Sequence, residues 1–82
     1  MKEQDIIDLG FTKQSGDNFY YYTYDLSRGF GLITQASDEV VDNKWVVEVF
    51  ETSTIRFTNK KPVKKLIKII NMAADVTLGR GA

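Results

Sequence analysis

Residues 18–27 read Asn-Phe-Tyr-Tyr-Tyr-Thr-Tyr-Asp-Leu-Ser and contain all four tyrosines of the 82-residue chain. Aromatic and β-branched side chains are typical of strands, so this stretch predicts a β-strand. Successive side chains of a strand point to opposite faces, which places Tyr20, Tyr22 and Tyr24 on one face and Phe19 and Tyr21 on the other. Both faces are aromatic, yet the core of a small protein covers only one of them. The other face is expected to meet a partner or to remain unusually aromatic.

Length and composition predict one small globular domain. The hydrophobic fraction of 43% and the charged fraction of 27% are ordinary for such a domain. We expect a single domain over residues 1–75, followed by a flexible tail at residues 76–82, which contain two glycines and few anchoring side chains. The N-terminal residues include acids and lack an apolar leader, and no apolar run approaches the ~20 residues of a spanning helix. These features predict a cytoplasmic protein that does not enter a membrane.

The chain has no cysteine and no histidine. Their absence removes disulfides, thiolate nucleophiles, the commonest general base and the commonest transition-metal ligands. Catalysis would have to rely on carboxylate, lysine or tyrosine side chains, and no pair of these can be placed together from spacing alone. We therefore expect a protein that is not an enzyme and that carries neither a cofactor nor a metal.

Positive and negative charges are separated along the sequence, although the formal net charge is zero. Residues 1–51 carry ten acidic and four basic side chains, whereas residues 52–82 carry one acidic and seven basic side chains. An acidic sheet that neutralises a basic helix in the folded protein would explain this asymmetry. Two oppositely charged surfaces that bind different partners would explain it too.

Local patterns predict a helix, then four or five antiparallel strands, then a second helix. Glycine at position 10 is placed to stop the first helix, and Arg28-Gly29 is placed to connect two strands. The predicted elements are a helix at residues 2–9, strands at 11–14, 18–27, 30–35, 44–52 and 54–58, and a helix from 59 to about 75. The fold class is therefore α+β, a meander sheet with both helices on one face.

The last predicted helix is amphipathic. Its apolar stripe has helical spacing and consists of Val63, Leu66, Ile67, Ile70 and Ala74. The opposite side is rich in lysine, and Lys61, Lys64, Lys65 and Lys68 are candidates to bind phosphate, nucleic acid or an acidic protein surface. A solvated helix face is the alternative interpretation, and the absence of arginine disfavours base-specific recognition.

The candidate interface is aromatic and apolar. It consists of Tyr20, Tyr22, Tyr24, Val46 and Phe50. Cross-strand aromatic pairs that only stabilise the sheet are the alternative for each residue taken singly. For the whole face we expect a protein interface, formed with a second copy of the chain or with another protein, because large apolar patches are rare on soluble monomers. The alternative function is a nucleotide or oligonucleotide binder in which these tyrosines stack on bases and the lysines neutralise phosphates.

Four segments resemble small uncharacterised proteins of bacteriophages and prophages. They are Asp-Leu-Gly-Phe at 8–11, Phe-Tyr-Tyr-Tyr-Thr at 19–23, Trp-Val-Val-Glu-Val-Phe-Glu at 45–51 and Ile-Arg-Phe-Thr-Asn at 55–59. The resemblance spans residue 5 to about residue 71 and carries no catalytic motif. It implies an accessory intracellular phage protein of the size often used to bind and inhibit a host component, including components of host defence.

Overall fold

The computed structural model describes residues 1–26, 31–50 and 52–79, with side chains described outside 52–54 and 72–79. In chain order the elements are α1 (Glu3–Asp8), β1 (Thr12–Ser15), β2 (Tyr20–Asp25), β3 (Gly31–Thr34), β4 (Val47–Val49), β5 (Thr52–Phe57) and α2 (Lys60–Gly79). A 3-10 helical turn, Ser37–Glu39, lies between β3 and β4. The predicted α+β class is confirmed, whereas the predicted Arg28-Gly29 connection and the last three residues of the predicted tail lie outside the described residues.

The five strands form one antiparallel sheet in the order β1-β2-β3-β4-β5. Each strand pairs with its neighbour in sequence, as expected when short connections join consecutive strands. The pairing between β4 and β5 shifts register between Glu48 and Val49, which marks a bulge. β1 and β5 are the two edges of the sheet.

Helix α1 ends at the glycine that the sequence singles out. Gly10 has φ +95°, a conformation that favours glycine because it has no Cβ. The N–H of Gly10 donates to the carbonyl of Ile7 at 3.0 Å and that of Phe11 donates to the carbonyl of Ile6 at 3.4 Å. This pair of bonds is a Schellman-type end, and it turns the chain from α1 into β1.

Helix α2 turns the described part of the predicted apolar stripe toward the core and is longer than predicted, while the side chain of Ala74 lies outside the described residues. Val63 and Ile67 are buried, and Leu66 and Ile70 are packed against the same core. The helix continues to Gly79, beyond its predicted end near Asp75, so most of the predicted tail is helical. No helix in the described part of the chain is long and apolar enough to cross a membrane.

The core gathers side chains from both helices and from one side of the sheet. Its buried hydrophobic members are Ile6, Phe11, Tyr22, Leu26, Leu32, Trp45, Val47, Val63 and Ile67. Burying such side chains is the main favourable term in folding, at about 25 cal/mol per Å² of apolar surface. Since α1 contributes Ile6 to this cluster and α2 contributes Val63 and Ile67, the core side of the sheet is the side that the helices cover.

Strand β4 is shorter than its predicted range because the backbone groups of the residues that precede it form hydrogen bonds outside the sheet. The backbone N–H of Val46 donates to Oε1 of Gln35 at 2.9 Å. That of Trp45 donates to the carbonyl of Met1 at 2.6 Å, and the amino group of Met1 donates back to the carbonyl of Trp45 at 3.1 Å. Residues 44–46 therefore precede β4 without strand partners in the sheet.

Candidate functional site

The tyrosines of the predicted interface face inward, which corrects the prediction that they are exposed. Tyr22 is only 4% exposed, and Tyr20 and Tyr24 are half-buried and packed against the core. The Tyr22 ring meets the Trp45 ring edge-on with centroids 5.5 Å apart, and Tyr24 lies 5.4 Å from Phe11. These contacts stabilise the core, so this face of β2 is not available to a partner.

The carboxylate of Glu3 on α1 accepts hydrogen bonds from two tyrosine hydroxyl groups on the core side of β2. The hydroxyl of Tyr22 donates to Oε2 of Glu3 at 2.7 Å, and that of Tyr20 donates to Oε1 at 3.3 Å. Burial, reinforced by the hydrogen bond to the Glu3 carboxylate, raises the pKa of Tyr22 to about 12. The hydrogen bond to Glu3 also raises the pKa of Tyr20. Both phenols are therefore neutral at physiological pH and serve as hydrogen-bond donors within the fold.

Strand register separates the two parts of the predicted interface. Tyr24 pairs with Leu32, and Leu32 pairs with Val49, so these three positions share the core side. Directly paired residues project to the same side of a sheet, and neighbours along a strand project to opposite sides. Val46 lies between the buried residues Trp45 and Val47, and Phe50 lines a concavity together with Tyr21 and Thr23. Both are therefore placed on the other side of the sheet from Tyr20, Tyr22 and Tyr24.

The side of the sheet away from the core retains large apolar side chains. We call it the open face and define it by Phe19, Tyr21, Thr23, Ile33, Val46, Glu48 and Phe50. Phe50 is 54% exposed and Phe19 is 39% exposed, while the other five are half-buried. The buried helical residues all belong to the core on the opposite side. Two residues of the predicted interface, Val46 and Phe50, thus remain on a surface that a partner could reach.

An aromatic pair lies at one end of the open face. The rings of Phe19 and Tyr21 are stacked, with centroids 6.2 Å apart and an angle of 25° between their planes. The Phe19 ring also covers Gly16, where an added Cβ would come within 2.5 Å of the ring. A side chain at position 16 would shift the Phe19 ring, so glycine favours the stacked position of the ring.

A concavity of about 440 Å³ lies at the other end of the open face. It is lined by Gln14, Tyr21, Thr23, Asp25, Leu26, Gly31, Leu32, Ile33 and Phe50. Gly31 pairs with Asp25 in β2, and the N–H of Phe50 donates to the carbonyl of Gly31 at 2.8 Å. Asp25 in β2, Gly31 in β3 and Phe50, which directly follows β4, therefore form a row across the sheet, and the missing side chain of Gly31 leaves a gap between a carboxylate and an aromatic ring.

The charges on this side of the sheet are mainly acidic. Arg56 pairs with Glu48 across β4 and β5, with Nε and Oε1 3.2 Å apart. Asp25 is exposed and makes no side-chain hydrogen bond or ion pair with another described residue. Glu48 and Arg56 offset each other, and among the described residues that line the concavity Asp25 alone is charged.

The lysines of the candidate anion site lie together on α2, away from the open face. Lys61, Lys64, Lys65 and Lys68 are all exposed. At about 3.6 residues per turn they form one stripe opposite Val63 and Ile67, which point into the core. The stripe and the open face thus occupy opposite sides of the molecule. The structure does not bring the lysines together with tyrosines available for stacking, as a joint nucleotide site requires.

Other acidic groups do not form a site. Glu39 is used locally, because its Oε1 accepts a hydrogen bond from the backbone N–H of Ala36 at 3.2 Å. Asp42 and Asn43 both have φ +55° in the loop before β4. Among residues whose positions are described, no three acidic side chains come together in a way that could hold a metal ion.

The residues that sequence reasoning missed are those opposite the tyrosines that it chose. Tyr21 and Phe19 carry the same aromatic signal as Tyr20 and Tyr22, and alternation alone does not rank the two faces. Asp25 and Gly31 give no signal separately, since an acid at the end of a strand and a glycine near a turn are common.

Comparisons of the chain with protein-family models, curated proteins and solved structures find no match, so its geometry is the basis for inferring its function.

Proposed function

We propose that this protein is a non-enzymatic binding module that holds another protein against the open face of its sheet. The observation that carries the proposal is the exposure of large apolar side chains, Phe19 and Phe50 above all, on the side of the sheet opposite the helices. Aromatic side chains provide large, rigid contact areas and are enriched in protein interfaces. The proposal keeps the predicted function and moves the interface to the opposite face of β2.

The chemistry of the open face favours a protein over a nucleic acid. Nucleic-acid binding draws most of its affinity from basic side chains near phosphates. Arg56 is already paired with Glu48, and Asp25 would repel a phosphate. The lysine stripe of α2 is left as a solvated face.

The resemblance to phage proteins suggests a setting for this activity. Within the proposal, the partner is a host protein and the module inhibits it by occupying a surface that it needs. A surface formed by side chains on a rigid sheet is suited to this role, because little conformational entropy is lost when it binds.

Peptide display followed by mapping tests the proposal. Peptides selected from a random library on the wild-type protein should perturb amide NMR signals of Tyr21, Ile33, Val46 and Phe50. Phe50→Ser should weaken their binding at least about tenfold, a change of about 1.4 kcal/mol. The matched control is Ile7→Ser on α1, because Ile7 is 47% exposed and lies outside the open face.

The outcomes are distinct. Equal binding to the Phe50→Ser and wild-type proteins, or perturbation confined to α2, would refute the proposal. Light scattering of the same variants tests whether the partner is a second copy of this chain. An oligomer that Phe50→Ser dissociates and Ile7→Ser leaves intact would identify another copy as the partner on the open face.

A further inference from the structure

We infer that the concavity beside Gly31 is a binding site for the guanidinium group of a partner's arginine. This inference rests on the proposed function and names the chemistry that the open face recognises. The row Asp25–Gly31–Phe50 runs from β2 through β3 to the residue that directly follows β4, as the pairing of Asp25 with Gly31 and the bond from Phe50 to Gly31 establish. Adjacent strands are about 4.8 Å apart, so the carboxylate and the ring arise from backbones about 10 Å apart, and Gly31 between them contributes no side chain.

A guanidinium group fits the two sides of this gap. It is planar and always charged, it can donate two parallel hydrogen bonds to a carboxylate, and it stacks on aromatic rings. Asp25 supplies the carboxylate, and Phe50, which is 54% exposed, supplies a ring surface. A cation over such a ring is attracted by the negative charge at the ring face. A neutral or anionic group would use only one side of the gap or be repelled by Asp25.

The rest of the concavity suits the remainder of an arginine side chain and its backbone. Ile33 and Thr23 lie side by side in the next row of the sheet, where a methylene chain could pack. At the far end, Gln14 pairs with Tyr21. Nε2 of Gln14 donates to Oγ1 of Thr23 at 3.1 Å, which leaves the amide oxygen of Gln14 free to accept from a backbone N–H of the partner.

Charge and shape together favour arginine over other side chains as the group bound in the gap. Glu48 and Arg56 are paired with each other, so Asp25 is the unpaired charge near the gap within the part of the chain that the structure describes. Lysine would use the same attraction, but its ammonium is compact and lacks the planar surface that stacks on Phe50. We therefore assign arginine as the preferred basic side chain.

Short peptides test the assignment by NMR. The probe is N-acetyl-glycyl-arginyl-glycinamide, and the control is the same peptide with citrulline, a neutral group of nearly the same shape, in place of arginine. The arginine peptide should shift the amide signals of Asp25, Gly31 and Phe50. Millimolar affinity is expected, because one exposed ion pair and one cation–π contact are individually weak. The citrulline peptide should bind at least about threefold more weakly.

Two variants separate binding from folding. Gly31→Val fills the gap and should abolish the shifts. An added Cβ at position 31 meets only ordinary contacts, at 3.7 Å from Cβ of Phe50 and 3.9 Å from the Tyr24 carbonyl, and valine suits a strand, so stability should be kept. Asp25→Asn should weaken binding roughly two- to fivefold, as expected for an exposed charge. Asp38→Asn is the matched control, since Asp38 is exposed in the 3-10 turn.

Several results would overturn the assignment. They are equal affinity for the citrulline peptide, shifts that survive Gly31→Val, shifts that map to α2, and no shifts at all. Selected peptides that bind the open face without arginine would overturn it while leaving the proposed function intact. If the same signals shift with protein concentration alone and Lys64→Glu prevents this, the occupant is the lysine stripe of a second copy.

Discussion

Replacement of Tyr22 by phenylalanine isolates the contact that decides which face of β2 is buried. The substitution keeps the ring, which is 4% exposed, and removes only the hydroxyl that donates to Glu3 at 2.7 Å. Hydrogen bonds to charged groups contribute about 1.5–3 kcal/mol, and Glu3 is only half-buried. We therefore expect Tyr22→Phe to lower the free energy of unfolding by about 1–2 kcal/mol at pH 7.

The same contact predicts a pH dependence of known sign. In the folded protein the pKa of Tyr22 is raised from 10.0 to about 12, so the fold favours the neutral phenol. This contribution is fully present below pH 10 and is lost as the pH rises through about 12. The advantage of wild type over Tyr22→Phe should shrink by about 1.4 kcal/mol per pH unit above the unfolded pKa. The two proteins should become equally stable near pH 11.

Urea denaturation followed by Trp45 fluorescence measures both effects, because Trp45 is 2% exposed and contacts Tyr22. Tyr21→Phe is the matched control on the neighbouring position. The Tyr21 side chain lies on the open face and makes no hydrogen bond among the described residues, so its replacement should cost less than about 0.5 kcal/mol. An equal cost for the two substitutions, or a pH-independent gap for Tyr22→Phe, would refute this assignment of faces.

Three further substitutions test separate parts of the fold. Thr34→Val removes a buried hydroxyl that accepts from the backbone N–H of Tyr22 at 3.0 Å, and it should cost about 1–3 kcal/mol in urea denaturation; a neutral result would contradict a buried bond. Asn43→Ala removes the acceptor of two hydrogen bonds at a position with φ 55°, so it should lower the melting temperature more than Asn43→Asp, which keeps an acceptor. A double-mutant cycle of Glu48→Gln and Arg56→Gln should give a coupling of about 0.2–1 kcal/mol that falls in about 1 M salt; coupling that salt leaves unchanged would argue against an exposed pair.

Local rules were sufficient for most of the fold. Gly10 predicted the end of α1 because positive φ is a property of one residue and its neighbours. The stripe of Val63 and Ile67 predicted the buried side of α2, since helical periodicity separates apolar from charged positions clearly. The consecutive order of the strands followed from their short connections.

The choice of face in β2 depends on contacts that are distant in the sequence. The hydroxyl of Tyr22 finds its acceptor 19 residues away, on Glu3. Its ring packs against Trp45, which lies beyond β3 and the 3-10 turn in the sequence. Alternation divides the aromatic residues almost evenly between the faces, so composition of the strand does not select either one. Once the core side of β2 is fixed, the strand pairing places Val46 and Phe50 on the opposite side of the sheet. The sequence pattern alone grouped these two residues with Tyr20, Tyr22 and Tyr24.

This coupling also bears on why the open face is aromatic. Once Tyr22 and Trp45 are buried, folding requires only that the positions facing away from them suit a strand, and threonine or valine would do so. Phe50, 54% exposed, gains little from burial within the single chain. A solvent-exposed apolar surface of this kind favours association, and its position beside the gap at Gly31 gives that association a preferred chemistry. Under the proposed function, the aromatic residues on the two faces of β2 have different physical roles: one set stabilises the core, and the other is the surface that we propose a partner contacts.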